Sequence, residues 1–263
     1  VKVLVTVPYW RTPDTIRRCV DSILAQSHED LVCLVVNDRD RRTPPWPELV
    51  DIQDPRLVRF DSRTNRGRYF HDAAAAQMAA DRFEWWMPVD ADDWLEPGRV
   101  RALVNAASPD VDAVMSGWTQ HHEDGTVVRR PLRPPGPGRP RAVAHLSSLW
   151  RPEFARALAH PAQRVGWDQV QTTAAWTFGR VAAVDDWQYH RQLRQGSLTR
   201  NPVNGKGTKA RRVARRHQRV LWERMRVQPD LPTAAAVLAE DVGGLAAEVD
   251  VYATRLRAAL DAA

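Results

Sequence analysis

The chain opens with an apolar run over residues 1–7, broken only by Lys2 and Thr6, and this density predicts a buried strand. A helix start follows at Thr12-Pro13-Asp14, with Thr as the cap, Pro at the first helical position and Asp facing the dipole. Ile16, Val20, Ile23 and Leu24 then recur at helical spacing. Residues 31–36 predict a second buried strand ending at Asn37-Asp38, and 57–60 a short third. Residues 70–83 predict an Ala-rich helix, and 85–89 a fourth strand ending at Asp90. Strand, helix, strand and helix in this order predict an α/β fold. Its sheet is doubly wound and mostly parallel, with helices on both faces.

The second half is less regular. Residues 112–118 and 126–130 predict strands around the turn Glu123-Asp124-Gly125, and 131–140 form a Pro/Gly/Arg loop. A strand over 144–150, a short helix over 152–158, a helix over 167–176 and a last strand over 181–190 complete the pattern. A polar, Gly-containing loop over 195–207 precedes two closing helices, over 208–226 and 233–260. Their length predicts a C-terminal helical extension over 205–263.

Composition refines this picture in three respects. The net charge of +6 is unevenly placed: residues 206–226 hold nine Lys or Arg against Glu223, a net +8, so the remainder carries −2. The basicity therefore belongs to one segment and says little about the partner of the main body. Ala210, Val213, His217, Val220 or Leu221, and Met225 form an apolar stripe there. Three readings follow: a packing helix with a solvated basic face, weak contact with a membrane surface through 206–226, or an electrostatic funnel for a doubly charged ligand. The segment has no recognised nucleic-acid motif, so no nucleic-acid partner is expected. The Ala/Leu/Val-rich last helix is a candidate homodimerisation arm. No stretch of 18 apolar residues occurs, and the first apolar run is too short for a signal peptide, so a cytoplasmic location is expected. Cys19 and Cys33 read as small buried side chains and not as a disulfide framework.

Polar residues gather at the carboxyl ends of the predicted strands: Pro8-Tyr9, Asn37-Asp38 and Asp90-Ala91-Asp92-Asp93. Parallel sheets bind ligands at that edge. Asp90 and Asp92 alternate in an extended chain, so their carboxylates can converge. Unpaired, they repel; a divalent cation removes the penalty, and oxygen ligands suit Mn²⁺ or Mg²⁺. The competing reading is an acidic turn in which Asp92 or Asp93 caps the next helix.

These stretches together resemble the family-2-type glycosyltransferases of the GT-A fold, over roughly residues 3–200. The resemblance rests on the opening strand with PYWRTPDTIRRCVDSILAQS at 8–27, on Val35-Val36-Asn37-Asp38, on the N-x-G turn Asn65-Arg66-Gly67, and on Pro88-Val89-Asp90-Ala91-Asp92-Asp93 as a D-x-D motif. It implies a glycosyltransferase domain over 1–204, with a nucleotide-binding half over 1–118 and an acceptor half over 119–204. It also implies roles. Pro8 and Tyr9 line the base pocket, and Asp38 accepts from the base of a uridine nucleotide. Arg63 and Arg66 lie near base or phosphate. Asp90, beside Ala91, touches ribose or sugar, and Asp92 binds the metal. For Asp38 a local turn role stays open.

The family's acidic pair at a helix start corresponds to Gly166-Trp167-Asp168-Gln169, where Trp167 replaces the first acid. Asp168 remains as the candidate catalytic base of an inverting transfer, or as a plain helix cap. The family's late His, three residues before a Ser, is Arg194 here, and His190 lies seven before Ser197. Either His190 binds the metal or Arg194 assists the diphosphate. Ser197, Arg200 and Lys206 are candidate lid residues. The family's Ala-Arg-Asn after the N-x-G turn is replaced by residues 69–73, YFHDA, which leaves the donor sugar open. The expectation is a bacterial enzyme moving a sugar from a nucleotide-diphosphate sugar, with UDP favoured, to an unidentified hydroxyl acceptor. The alternatives are a catalytically impaired sugar-nucleotide-binding module and a nucleotidyltransferase. The latter is disfavoured because residues 9–13, YWRTP, have no glycine.

Overall fold

The computed structural model describes residues 1–138, 141–145, 147–194, 197, 200, 202–203, 205 and 207–263. Lys206 and most of the predicted 195–207 loop lie outside the described residues. The first half follows the predicted alternation: β1 Val3–Tyr9, α1 Pro13–Leu24, β2 Leu31–Asn37, α2 Trp46–Leu49, β3 Leu57–Asp61, α3 Arg68–Ala79, β4 Trp85–Pro88, β5 Trp94–Leu95 and α4 Arg99–Asn105. The second half holds β6 Ala113–Ser116, β7 Trp118–His121, β8 Val127–Arg130, β9 Leu149–Trp150, α5 Pro152–Ala157, α6 Trp167–Phe178, β10 Val181–Val184 and β11 Tyr189–Gln192. The helices α7 Lys209–Met225, α8 Leu231–Val242 and α9 Leu245–Asp261 close it.

Seven strands form the central sheet in the order β10-β6-β9-β4-β1-β2-β3. Only β9 runs antiparallel to its neighbours. Side chains alternate across the sheet. Leu4, Leu34, Val36 and Trp86 pack on the α3, α5 and α6 side, whereas Val3, Val5, Val7, Cys33 and Val35 pack against α1 and α4. Burial on both faces explains why these strands read as continuous apolar runs. A second sheet, β5-β11-β7-β8, stands beside the carboxyl end of β4.

Local departures from the predicted pattern have identifiable causes. The strand expected over 112–118 is broken at Gly117, where an added Cβ would stand 2.7 Å from the Trp187 ring and 2.8 Å from the Arg130 carbonyl. The chain there changes from one sheet to the other. The strand expected over 181–190 splits into β10 and β11 because Asp186 turns inward to the buried Arg99. Thr12 does not cap α1 through its side chain; its carbonyl accepts the N–H groups of Thr15 and Ile16 instead. The last predicted helix divides at Gly243, whose φ of +54° suits glycine.

The C-terminal helices pack on the sheet layer. Tyr252 of α9 meets Phe60 and Phe70 edge-on, with centroids 5.4 and 5.2 Å apart. Val249, Ala253 and Leu256 are buried beside it, so these apolar residues of the candidate homodimerisation arm pack within the chain. Leu256→Ala therefore removes a fully buried side chain from the layer that supports α3. It should cost about 2–5 kcal/mol in urea unfolding, with a single transition, because α9 and the sheet share one core.

Candidate active site

A cavity of about 510 Å³ opens at the carboxyl ends of β1, β2 and β4. Pro8 and Tyr9 come from the end of β1, Asp38 from the end of β2, and Asp90, Ala91, Asp92 and Asp93 from the end of β4. Gly67 and Arg68 enter at the start of α3, and Arg191, Gln192, Leu193 and Arg194 at the end of β11. Seven of the ten residues proposed from the sequence as donor or metal ligands thus share this wall: Pro8, Tyr9, Asp38, Asp90, Ala91, Asp92 and Arg194.

The wall is built by local hydrogen bonds. Tyr9 is fully buried and donates its hydroxyl to the Thr43 carbonyl. Asp40 accepts from the backbone of Arg11, Arg42 and Thr43 and so ties the turn after β2 to the turn after β1. Arg11 sits at φ +53°, a left-handed conformation uncommon outside glycine. Asp38 Oδ1 accepts the Arg66 N–H at 2.6 Å and Oδ2 the Gly67 N–H at 2.8 Å, and His71 Nε2 lies 2.8 Å from Oδ1. The aspartate therefore holds the N-x-G turn, the local role left open above, while Oδ2 keeps a second lone pair.

Arginines face the aspartates. Arg68 contacts Asp90 and also Asp72, whose Oδ2 accepts from its Nε at 3.0 Å. Burial opposes the charge of Arg68, but Asp72 overcomes it and raises its pKa. Arg194 Nε donates to Asp92 Oδ2 at 2.9 Å. Asp93 is buried, and its oxygens accept the Tyr189 hydroxyl and the Gln192 N–H. Burial first, and then the charge of Asp92, push the Asp93 carboxyl up to about 7. Three further polar atoms on the wall, Thr12 Oγ1, Arg68 Nη2 and Ser197 Oγ, are buried without a hydrogen-bond partner among the described residues. Each is costly to leave so, on the order of 1–3 kcal/mol, and all three suit an anionic oxygen.

Three expected residues point elsewhere. His190 Nε2 lies 2.9 Å from Glu96 Oε1, and its Nδ1 lies 2.9 Å from His121 Nε2. Its ring stacks on Trp94 and lines a separate hollow. The physical reason is strand alternation: β11 sends Tyr189 toward Asp93 and His190 to the opposite face. The structure thus corrects the assignment of His190 as metal ligand. Arg63 is exposed and lies off the wall. Arg66 is turned to Glu248 of α9, 2.6 Å away, so its backbone and not its guanidinium serves the site.

His145, and not His190, is the histidine beside the aspartates. Asp90, Asp93 and His145 each offer a ligand atom within 4.8 Å of the others. Burial, and then Arg191, Arg68 and Arg99, lower the His145 pKa well below the usual imidazole value, so the ring is neutral. Its Nδ1 accepts from the Ser147 N–H at 3.2 Å, which puts the ring proton on Nε2, the atom 3.9 Å from Asp90 Oδ2. In that tautomer His145 presents a hydrogen, and it can ligate a cation only by yielding the Ser147 bond. The carboxylates fit a divalent cation better. Asp90 and Asp92 open on the cavity and hold arginine charges where a cation would otherwise balance them. Both oxygens of Asp93 are already engaged.

Asp168, in the first turn of α6, is half-buried beside Tyr69, the residue after Arg68, and is not on the cavity wall itself. The Tyr69 hydroxyl donates to its Oδ1 at 3.0 Å. Trp167, which replaces the family's first acid, is fully buried and donates its indole N–H to the Leu158 carbonyl. Sequence reasoning missed Arg68, Arg11, Thr12 and His145 as wall or cluster residues. Arg68 carried a usable signal, as the residue directly after the N-x-G turn; His145 carried none.

The raised Asp93 pKa has a definite sign. Folded Asp93 binds its proton more tightly than the unfolded chain does, so stability falls as pH rises from the ordinary carboxylate range to about 7. Asp93→Asn should flatten that decline in urea midpoints measured at low ionic strength, since the Tyr189 hydroxyl can accept where it now donates. A variant with an undiminished slope would place the titration elsewhere.

The sequence pattern of glycosyl transferase family 2 matches residues 4–165. The putative glycosyltransferase EpsH of Bacillus subtilis (strain 168) is 26% identical over 131 residues, 47% of this chain and 35% of that protein. The succinoglycan biosynthesis protein ExoO of Rhizobium meliloti (strain 1021) is 32% identical over 101 residues, 38% of this chain and 28% of that protein. The matched stretches thus span about a third of those relatives' length. Among solved structures, S. aureus TarS 1-349 in complex with UDP-GlcNAc matches with a TM-score of 0.65 at 17% identity, covering 91% of this chain and 71% of that one. Mannosyltransferase PcManGT from Pyrobaculum calidifontis, in complex with GDP-Man and Mn²⁺, matches at 0.57 and 17%, covering 99% and 73%. With a matching pattern over more than half its length and the same layered sheet, the chain belongs to glycosyl transferase family 2 and has the GT-A fold.

Proposed function

We propose that this chain transfers a sugar from a nucleotide-diphosphate donor, UDP-linked by preference, to a hydroxyl acceptor with inversion at the anomeric carbon. The observation that carries this reading is the wall itself. Partnerless polar atoms and arginines stand beside two carboxylates at the sheet's carboxyl edge. An anionic diphosphate satisfies the first group, and a divalent cation the second. TarS was solved with UDP-GlcNAc and PcManGT with GDP-Man and Mn²⁺, which supports a sugar nucleotide as ligand and Mn²⁺ or Mg²⁺ as cofactor.

Asp90 and Asp92 would hold the cation, which supplies Lewis-acid neutralisation of the departing diphosphate. Arg68 and Arg194, which now contact those aspartates, would face the phosphate oxygens. Thr12 and Ser197 donate their hydroxyls there. Pro8 and Tyr9 shape the base pocket, and Asp38 Oδ2 meets an N–H of the base. Asp168 takes the acceptor hydroxyl's proton on the oxygen that Tyr69 leaves open, so that attack comes from the face opposite the leaving group.

A thermal-shift panel of nucleoside diphosphates with and without Mn²⁺ tests the binding half. UDP with Mn²⁺ should stabilise most, by about 2.7 kcal/mol at a hundredfold excess over Kd. Equal shifts for all bases would remove the UDP preference, and no shift at all would remove the nucleotide site. For the chemistry, Asp92→Asn should cut UDP release from a UDP-sugar by at least about 100-fold. Asp168→Asn should spare UDP binding while lowering transfer by a similar factor. Arg68→Met should raise the donor KM, and an unchanged KM would remove Arg68 from the phosphate contacts.

A further inference from the structure

The apolar stripe read from the sequence of α7 divides in the structure. Gln218, Leu221, Trp222 and Met225 face inward and are buried. Val213 and Val220 lie on the opposite side and are 61% and 53% exposed. At 100° per residue, Lys209, Val213, Arg216 and Val220 fall on one line along the outer face, flanked by Arg212 and Arg219. All six are exposed. None of the four cations among them has a carboxylate partner among the described residues; the Arg212 guanidinium donates to the Gly207 carbonyl. The ion pairs of this helix involve other residues, Arg224 with Glu240 and Arg226 with Glu223 at its far end, and His217 Nε2 lies 3.0 Å from Asp241 Oδ1. The first three turns thus present unpaired guanidinium and ammonium groups interleaved with exposed aliphatic side chains.

We propose that this face of α7 docks on an anionic lipid bilayer. The complement of unpaired cations is a dense layer of anions, and the valines between them need an apolar phase that a dissolved anion lacks. The donor diphosphate does not fit this face, because the helix turns its other side to the cavity wall. Gln218 Nε2 donates to the Val165 carbonyl at 2.6 Å, next to Arg164 of that wall. RNA fits it less well, because the face offers aliphatic groups and no aromatic ring for base stacking, Trp222 being buried. The same hydrogen bond fixes α7 to the segment that leads into Asp168. A docked helix would therefore hold the acceptor rim of the cavity beside the membrane.

Vesicle flotation of the full chain tests this directly, using phosphatidylcholine alone and phosphatidylcholine with about 30% phosphatidylglycerol. The chain should float with the anionic vesicles at least about tenfold more than with the neutral ones, and high salt should release it. Arg212→Glu/Arg216→Glu/Arg219→Glu should abolish the difference. Val213→Ser/Val220→Ser should weaken binding severalfold, which a purely ionic contact would not show. Circular dichroism melts identify a variant that fails to fold, and in that case Arg216→Glu alone must still reduce flotation. Equal flotation with neutral vesicles, or undiminished binding by the folded triple variant, overturns the proposal. So does displacement by single-stranded RNA at a phosphate concentration below that of the lipid.

Discussion

Mutual repulsion among aspartates at the end of one strand is the constraint around which this site is built. Asp90, Asp92 and Asp93 crowd the carboxyl edge of β4, and each needs a compensating charge or donor. Arg68 compensates Asp90, Arg194 compensates Asp92, and Tyr189 with the Gln192 N–H satisfies Asp93. Burial, and then the charge of Asp92, still push the last of these up to about 7.

The compensating groups come from distant parts of the chain. The central sheet supplies the aspartates, α3 supplies Arg68, and the small second sheet supplies Tyr189, Gln192 and the residues that follow. The small sheet exists because Gly117 lets β6 and β7 part company and because Asp186 is drawn to the buried Arg99. The C-terminal helices steady the same site from outside. Glu248 of α9 holds Arg66, whose N–H is one of the two backbone donors to the Asp38 carboxylate. Sheet, turn and extension thus converge on a single electrostatic problem.

What the sequence made legible was local. The runs of β1, β2 and β4 are buried on both faces, so their apolar patterns do not depend on distant partners. Pro8, Tyr9, Asp38 and the D-x-D residues followed from strand ends alone. The misplaced residues depended on contacts far along the chain. His190 was on the right strand and the wrong face, because the break at Asp186 sets the phase of β11 through Arg99. Arg66 was near the base turn, but Glu248 captured its side chain. The α7 stripe mixed Val213 and Val220 with Leu221 and Met225. Spacings of three and four residues were counted correctly there, yet they drift around a helix over several turns.

The central proposal is that Asp90 and Asp92 would hold a divalent cation together with a nucleoside diphosphate. A Mn²⁺ titration followed by electron paramagnetic resonance, with and without UDP, tests it most directly. The account predicts weak Mn²⁺ binding alone, one tightly bound ion with UDP, and loss of that ion in Asp92→Asn. Undiminished Mn²⁺ binding by the folded Asp92→Asn chain, or UDP binding of equal affinity with no cation present, would contradict it.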